Sequence, residues 1–239
     1  MNFEFIGIGS FFAKNNFHNN VLINKNILID CGFMAGHGLH ASGRNFGQIE
    51  HIFITHTHAD HIGGLEECAF FNKFVNGGAK PNLYVPMPLA DKLWAYSLRG
   101  GLEDIETGGA TLADYYNLIP VKDEFEIEDI RFEVVPTNHV PNRYCCGLNI
   151  NKRIFFSGDT QFDDDMIKKY GTDAECIYHD AQFFKGGIHA SLEELSTLPQ
   201  TLRHKTTLMH LPDNYVDHID AAKEQGFQIV EQHTPYTFK

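Results

Sequence analysis

The sequence predicts an α/β protein in which helices cover sheets. Short apolar runs closed by turn residues recur along the chain, segments of helical period follow them, and the same order returns in the second half. The first strands are residues 3–8 before Gly9, 21–23, 27–29 before Asp30-Cys31-Gly32, and 52–54 before Thr55. Helical period then runs through residues 61–75 and 88–98. A second round of strands covers 130–135, 146–150 and 154–157. Beyond it, helices at 163–170, 191–198 and 214–225 alternate with strands at 176–178, 207–209 and 228–230. Residues 99–117, with Gly100-Gly101 and Gly108-Gly109, lack a clear period and read as a lid or as part of a dimer contact.

With 239 residues, 43% of them hydrophobic and 20 of them phenylalanine, the chain can bury one large core, so a single domain over residues 1–239 is expected. A net charge of −12 with only 19 lysines and arginines argues against an extended nucleic-acid footprint, because each bound phosphate needs a nearby cation. The five cysteines (Cys31, Cys68, Cys145, Cys146 and Cys176) are odd in number and lack CxxC spacing, which points away from a disulfide framework and from a thiolate zinc knuckle. A reducing cytoplasm suits them. The N-terminus has no basic region followed by a long apolar run, and no stretch reaches the length of a membrane span, so a soluble, unexported protein is expected.

The chemistry concentrates in loops that directly follow strands. After the predicted strand 52–54 comes His56-Thr57-His58-Ala59-Asp60-His61, whose spacing lets neighbouring side chains diverge toward two metal ions. Three further strand ends carry ligand-type residues: Pro136-Thr137-Asn138-His139, Ser157-Gly158-Asp159-Thr160 and Leu208-Met209-His210. Imidazole and carboxylate donors favour zinc, with manganese or another first-row ion as the alternative.

On these motifs the chain resembles the metallo-β-lactamase superfamily over nearly its whole length. The resemblance implies an αββα sandwich, two mixed sheets flanked by helices. It also implies that His56, His58 and His139 hold one ion, that Asp60, His61 and His210 hold the other, and that Asp159 bridges both. Asp30 in Leu28-Ile29-Asp30-Cys31-Gly32 matches the family's first motif, a support for the ligand loop. The stretch from Tyr178-His179-Asp180 to Gly187-Ile188-His189-Ala190-Ser191 resembles the ribonuclease-Z-like branch, in which an acidic residue precedes a histidine that binds no metal. That resemblance makes His189 a general acid, assigns Asp60 to catalysis with it, and leaves Asp180 either orienting His189 or making an ordinary strand-end hydrogen bond. Ser191 with Glu194 also spells a capping box.

Ribonuclease Z proteins carry a long basic arm rich in glycine and proline that grips tRNA, and nothing like it lies between His61 and His139. The stretch from Gly187 to Leu195 with Leu198-Pro199 is more similar to the compact cyclic nucleotide phosphodiesterases of the anti-Pycsar type. The expected substrate is therefore a cyclic nucleotide monophosphate, and the resemblance adds a homodimer in the cytoplasm, the host's if a phage encodes the chain. The alternatives are a tRNA 3′ endonuclease, a thioester or lactone hydrolase, and a sponge that binds nucleotides without turnover. Tyr84, Tyr115, Tyr116, Tyr144 and Tyr236 are candidates for stacking on a base, although most aromatics must serve the core. His18, His37 and His40 have no assignment.

Overall fold

A computed structural model describes residues 1–105 and 108–239; residues 106 and 107, inside the segment 99–117, lie outside the described residues. The strands run in chain order as β1 (Asn2–Gly7), β2 (Asn20–Ile23), β3 (Ile27–Ile29), β4 (His51–Phe53), β5 (Asn82–Pro86), β6 (Asn117–Val121), β7 (Glu124–Ile127), β8 (Ile130–Thr137), β9 (Cys145–Ile150), β10 (Ile154–Phe156), β11 (Cys176–Asp180), β12 (Thr206–Met209), β13 (Gln228–Ile229) and β14 (Pro235–Thr237). They form two seven-stranded sheets, ordered β14-β1-β2-β3-β4-β5-β6 and β13-β12-β11-β10-β9-β8-β7. Cα proximity divides the chain accordingly into two compact units, the first built on residues 1–7, 17–122 and 232–239, the second on 8–16 and 123–231.

Both sheets follow one plan. In the first, β14, β1, β2 and β3 pair antiparallel and β3 to β6 pair parallel. In the second, β7 to β10 pair antiparallel and β10 to β13 pair parallel. Every residue of β2, β3, β9, β10 and β12 is buried, which is why these strands read as continuous apolar runs rather than alternating ones. Parallel pairing sets the C-terminal ends of neighbouring strands side by side, where open α/β sheets gather functional loops. In the first sheet Ile29 pairs with Phe53, so the residues following β3 and β4 are neighbours. In the second, Phe156 pairs with Tyr178 and Asp180 with Met209, which aligns the ends of β10, β11 and β12.

The helices are short. In the first unit they are α1 (Ala35–Ala41), α2 (Ala59–Ile62), α3 (Leu65–Phe70), α4 (Met87–Leu93) and α5 (Arg99–Leu102). The second holds α6 (Asp164–Gly171), α7 (Leu192–Leu195), α8 (Gln200–Arg203) and α9 (Ile219–Glu224). The helix expected over 61–75 is broken at Gly63-Gly64. A Cβ on Gly64 would come within 2.4 Å of the Gly32 carbonyl oxygen, so the chain passes too close to that loop for any side chain. Asp163 caps α6 by accepting from the Met166 amide at 2.9 Å, and Ser191 with Glu194 forms the predicted capping box on α7.

Several elements escape sequence reading. α1 is spelled Ala-Gly-His-Gly-Leu-His-Ala, and its two glycines hide the period. β6 is a largely exposed edge strand containing Pro120, whose missing amide proton weakens the strand signal. The segment 99–117 starts in α5 and ends in β6, so its described part is less irregular than expected. Tyr115 and Tyr116 within it are core residues, their hydroxyls donating to the Leu102 and Leu65 carbonyls at 2.8 and 2.5 Å.

Gly158 links this frame to the ligands. Its φ of +59° lies in the left-handed region, and a Cβ there would approach the Cys146 carbonyl oxygen to 2.4 Å. Gly158→Ala should cost at least about 2 kcal/mol, the sum of left-handed strain and a backbone clash. Urea denaturation of the metal-free protein would measure it, and an unchanged midpoint would contradict this account.

Candidate metal centre

In the first unit, the group that organises the site is the Asp30 carboxylate. Asp30 follows β3 with a φ of +61° and is 1% exposed. Its oxygens accept from the Thr55 amide at 2.8 Å, from the Thr55 hydroxyl at 2.8 Å and from His61 Nδ1 at 2.7 Å. Burial pushes its pKa up, against the opposing pull of His61. Because Thr55 Oγ1 gives its proton to Asp30, it receives one from His56 Nδ1, 3.1 Å away. Two hydrogen bonds thus place the proton of both His56 and His61 on Nδ1 and present Nε2 as the donor lone pair. His56 Nε2 lies 2.9 Å from His58 Nδ1, and His61 Nε2 lies 3.4 Å from Asp60 Oδ2. Asp60 and His61 belong to α2, whereas His56 and His58 precede it. The Asn20 side chain, for which the sequence carried no signal, accepts from the Gly32 amide at 2.9 Å and steadies the adjoining turn.

The second unit gathers the other predicted residues. His139, two positions after β8, donates from Nδ1 to the Ile188 carbonyl at 2.8 Å and places Nε2 3.7 Å from Asp159 Oδ2. His210 directly follows β12 with a φ of +56° and places its Nε2 3.4 Å from the same oxygen. A non-glycine residue in that conformation stores strain, which proteins concentrate at functional sites. His189 Nδ1 lies 2.7 Å from Asp180 Oδ2, and the His189 ring sits 4.8 Å from that of His139 and 4.9 Å from that of His210. Asp159, Asp180, His189 and His210 each offer a ligand-type atom, and these atoms lie within 4.8 Å of one another.

Electrostatics in this unit favour a neutral His139 and a charged Asp180. Burial lowers the His139 pKa and keeps its ring unprotonated, as metal binding requires. Burial alone would raise the Asp180 carboxyl, but hydrogen bonds from His179 and His189 outweigh it and hold the group below the ordinary carboxylate range. The Thr160 amide also donates to Asp180, at 3.2 Å, while the Asp180 amide donates to Ser157 Oγ at 3.1 Å. His179 is fully buried and directs Nδ1 at the Asp180 carbonyl at 2.8 Å, so it belongs to the support of Asp180. His18 packs its ring 3.9 Å from that of Phe33, and His37 and His40 lie on α1.

The donors fit a metal on two counts. Zinc–nitrogen bonds of about 2.0–2.1 Å in a tetrahedron separate neighbouring donor atoms by about 3.3 Å. The pairs within each unit lie at 2.9, 3.4, 3.7 and 3.4 Å. Hydrogen bonding also settles the tautomers of His56, His61 and His139 so that Nε2 is the donor. Imidazole and carboxylate without thiolate suits zinc or manganese.

Comparisons with known proteins bear on the family and the fold. The family model described as "Anti-Pycsar protein Apyc1" matches residues 1–236. A protein of that name from Bacillus phage BSP38 is 41% identical over 230 residues, covering 89% of this chain and 89% of the relative. Among solved structures, a diphosphatase of the PhnP family superposes with a TM-score of 0.77 at 16% identity, over 100% of this chain and 98% of that one. The metallo-β-lactamase fold protein YhfI of Bacillus subtilis superposes with a TM-score of 0.73 at 14% identity, over 98% of each chain. The fold is therefore that of the metallo-β-lactamases.

Two measurements probe the supporting carboxylates. Asn at position 30 has one oxygen where Asp30 uses two, so Asp30→Asn should weaken metal binding by about 10–100-fold in chelator competition. Asp180 titrates lower folded than unfolded, so its stabilisation is complete above about pH 4 and is lost as pH falls through the folded value. Denaturation of the metal-free protein at pH 5 and pH 3 should show a smaller loss for Asp180→Asn than for the parent.

Proposed function

Because the chain belongs to the anti-Pycsar Apyc1 family, we propose that it is a metal-dependent phosphodiesterase that opens cyclic nucleotide monophosphates to 5′-monophosphates. One ion would be held by His56, His58 and His139 and the other by Asp60, His61 and His210, with Asp159 available to both, the assignment that the family resemblance implies. On that assignment residues 1–239 act as one functional domain. Two divalent ions, when bound, lower the pKa of a shared water and stabilise charge on a phosphoryl group.

The observation that carries this reading is the Asp180–His189 pair. A buried carboxylate held charged by its hydrogen bonds orients an imidazole whose ring stands beside those of His139 and His210. With Nδ1 engaged by Asp180, Nε2 is the atom that delivers a proton. In this reading water attacks phosphorus opposite the 3′ oxygen, the P–O3′ bond breaks as His189 Nε2 gives its proton to the departing oxygen, and the water's own proton passes to solvent; Asp180 stabilises the imidazolium before it gives up its proton. Asp60 would serve catalysis as one of the residues that hold an ion.

A small substrate fits the composition. The net charge of −12 and the lack of a basic arm between His61 and His139 disfavour a long tRNA substrate, which would need many phosphate contacts. The proposed role is removal of cyclic nucleotide signals that mediate antiphage immunity, by a homodimer in the host cytoplasm.

Metal-loaded protein given a panel of cyclic nucleotides, pre-tRNA and thioesters should release 5′-monophosphates from the first class alone. His189→Ala should lower kcat by about 10²–10⁴-fold with bound metal unchanged, the range of a lost general acid. Turnover of pre-tRNA alone would establish the ribonuclease alternative, and stoichiometric nucleotide binding without product would establish the sponge.

A further inference from the structure

His189 is carried by a loop, and the position of its ring depends on what holds that loop. Gln182 follows β11, and its main chain closes the loop's stem: the Gln182 amide donates to the Ala190 carbonyl, and the Leu192 amide donates to the Gln182 carbonyl, both at 2.9 Å. Residues 183–190 therefore leave and return at one point, the parallel bridge between Gln182 and Ser191. Within the loop, Gly186 and Gly187 adopt φ of +81° and +95°. Phe184 is 65% exposed, so burial of that side chain does little to hold it. Lys185 and Glu193 pair at 3.0 Å, but both are 69% exposed, and such pairs contribute little. At the stem, Phe183 stacks on His218 with ring centroids 4.4 Å apart.

What holds the arch is a set of side-chain donors aimed at its carbonyls. Gln182 Nε2 donates to the Phe184 carbonyl at 2.9 Å and also to the Gly186 carbonyl. Gln161 Nε2 reaches the Gly187 carbonyl at 3.3 Å, and His139 Nδ1 reaches the Ile188 carbonyl at 2.8 Å. Gln182 is 4% exposed and spends both amide hydrogens inside the loop. Glutamate has the same shape, yet it would turn an oxygen toward two carbonyl oxygens.

We propose that Gln182 is a positioning residue for the hydrolytic reaction: its carboxamide holds the Phe184 and Gly186 carbonyls, fixes the first half of the arch and so helps deliver the His189 ring to the Asp180 carboxylate. His189 then has two tethers of different kind, Asp180 on the ring and Gln182 on the main chain that bears it. The proposal rests on the assignment of His189 as the proton donor.

The test compares metal-loaded parent, Gln182→Glu and Gln182→Ala, the alanine variant removing the tether without adding a charge. Both should keep the parent's metal content and bulk amide protection, be cleaved by trypsin after Lys185 at least about tenfold faster, and lose on the order of 10–100-fold in kcat with KM changed by less than about threefold. Combined with His189→Ala, either should slow turnover no further than His189→Ala alone. Parent-like kcat in both variants, or a double variant slower than His189→Ala by the full Gln182 factor, would overturn the proposal. If the parent turns over no cyclic nucleotide, the functional reading falls instead. Cleavage then decides alone: faster cutting after Lys185 with other sites unchanged upholds the tether, and an unchanged rate there removes it.

Discussion

A carboxylate buried beneath a histidine fixes two things at once: which ring nitrogen carries the proton, and where the other nitrogen points. Asp30 does this for His61 directly and for His56 through the Thr55 hydroxyl, and Asp180 does it for His189. A metal ligand must present a lone pair and a general acid must present a proton. Both demands are met by what holds the far side of the ring, and the rest of the centre inherits that order. The cost is a charge or strain kept inside the protein. It appears as the raised pKa of Asp30 and as the left-handed backbones of Asp30 and His210.

The sheets supply the coordinates for this arrangement. Parallel pairing brings Asp30 beside Thr55 in the first unit, and Asp159, Asp180 and His210 to aligned strand ends in the second. The strands feeding these ends are almost wholly buried, so their register resists slippage and the residues just past them inherit fixed positions. Main-chain contacts finish the job where strands do not reach. The Ile188 carbonyl sets the His139 ring, and the loop that offers this carbonyl also carries His189. The proposed ligand and the proposed proton donor are thus coupled through one stretch of backbone.

Legibility in the sequence followed physical locality. The spacing from His56 to His61 is local, because the loop and the first turn of α2 need no distant partner to place their donors in order. Buried strands announced themselves as apolar runs, and the capping box at Ser191 was visible because its hydrogen bonds close within four residues. Elements that depend on distant packing were not visible. β6 is largely exposed and contains a proline, so only its pairing with β5 makes it a strand. The glycines of α1 cost helix propensity that is repaid by packing, with Leu39 fully buried.

By itself the sequence determined the α/β class, most core strands, and the set of histidines and aspartates able to bind metal, since residue type and short spacing suffice for each. The tertiary structure alone decided which nitrogen of each histidine faces outward, that Thr55 relays Asp30 to His56, and that Gln182 spans the arch beneath His189. The reason is physical. A donor's identity is written at one position, but its tautomer and direction are set by hydrogen bonds to groups that the chain brings near only when it folds, such as Asp30 with His61, 31 residues apart, and His139 with Ile188, 49 apart.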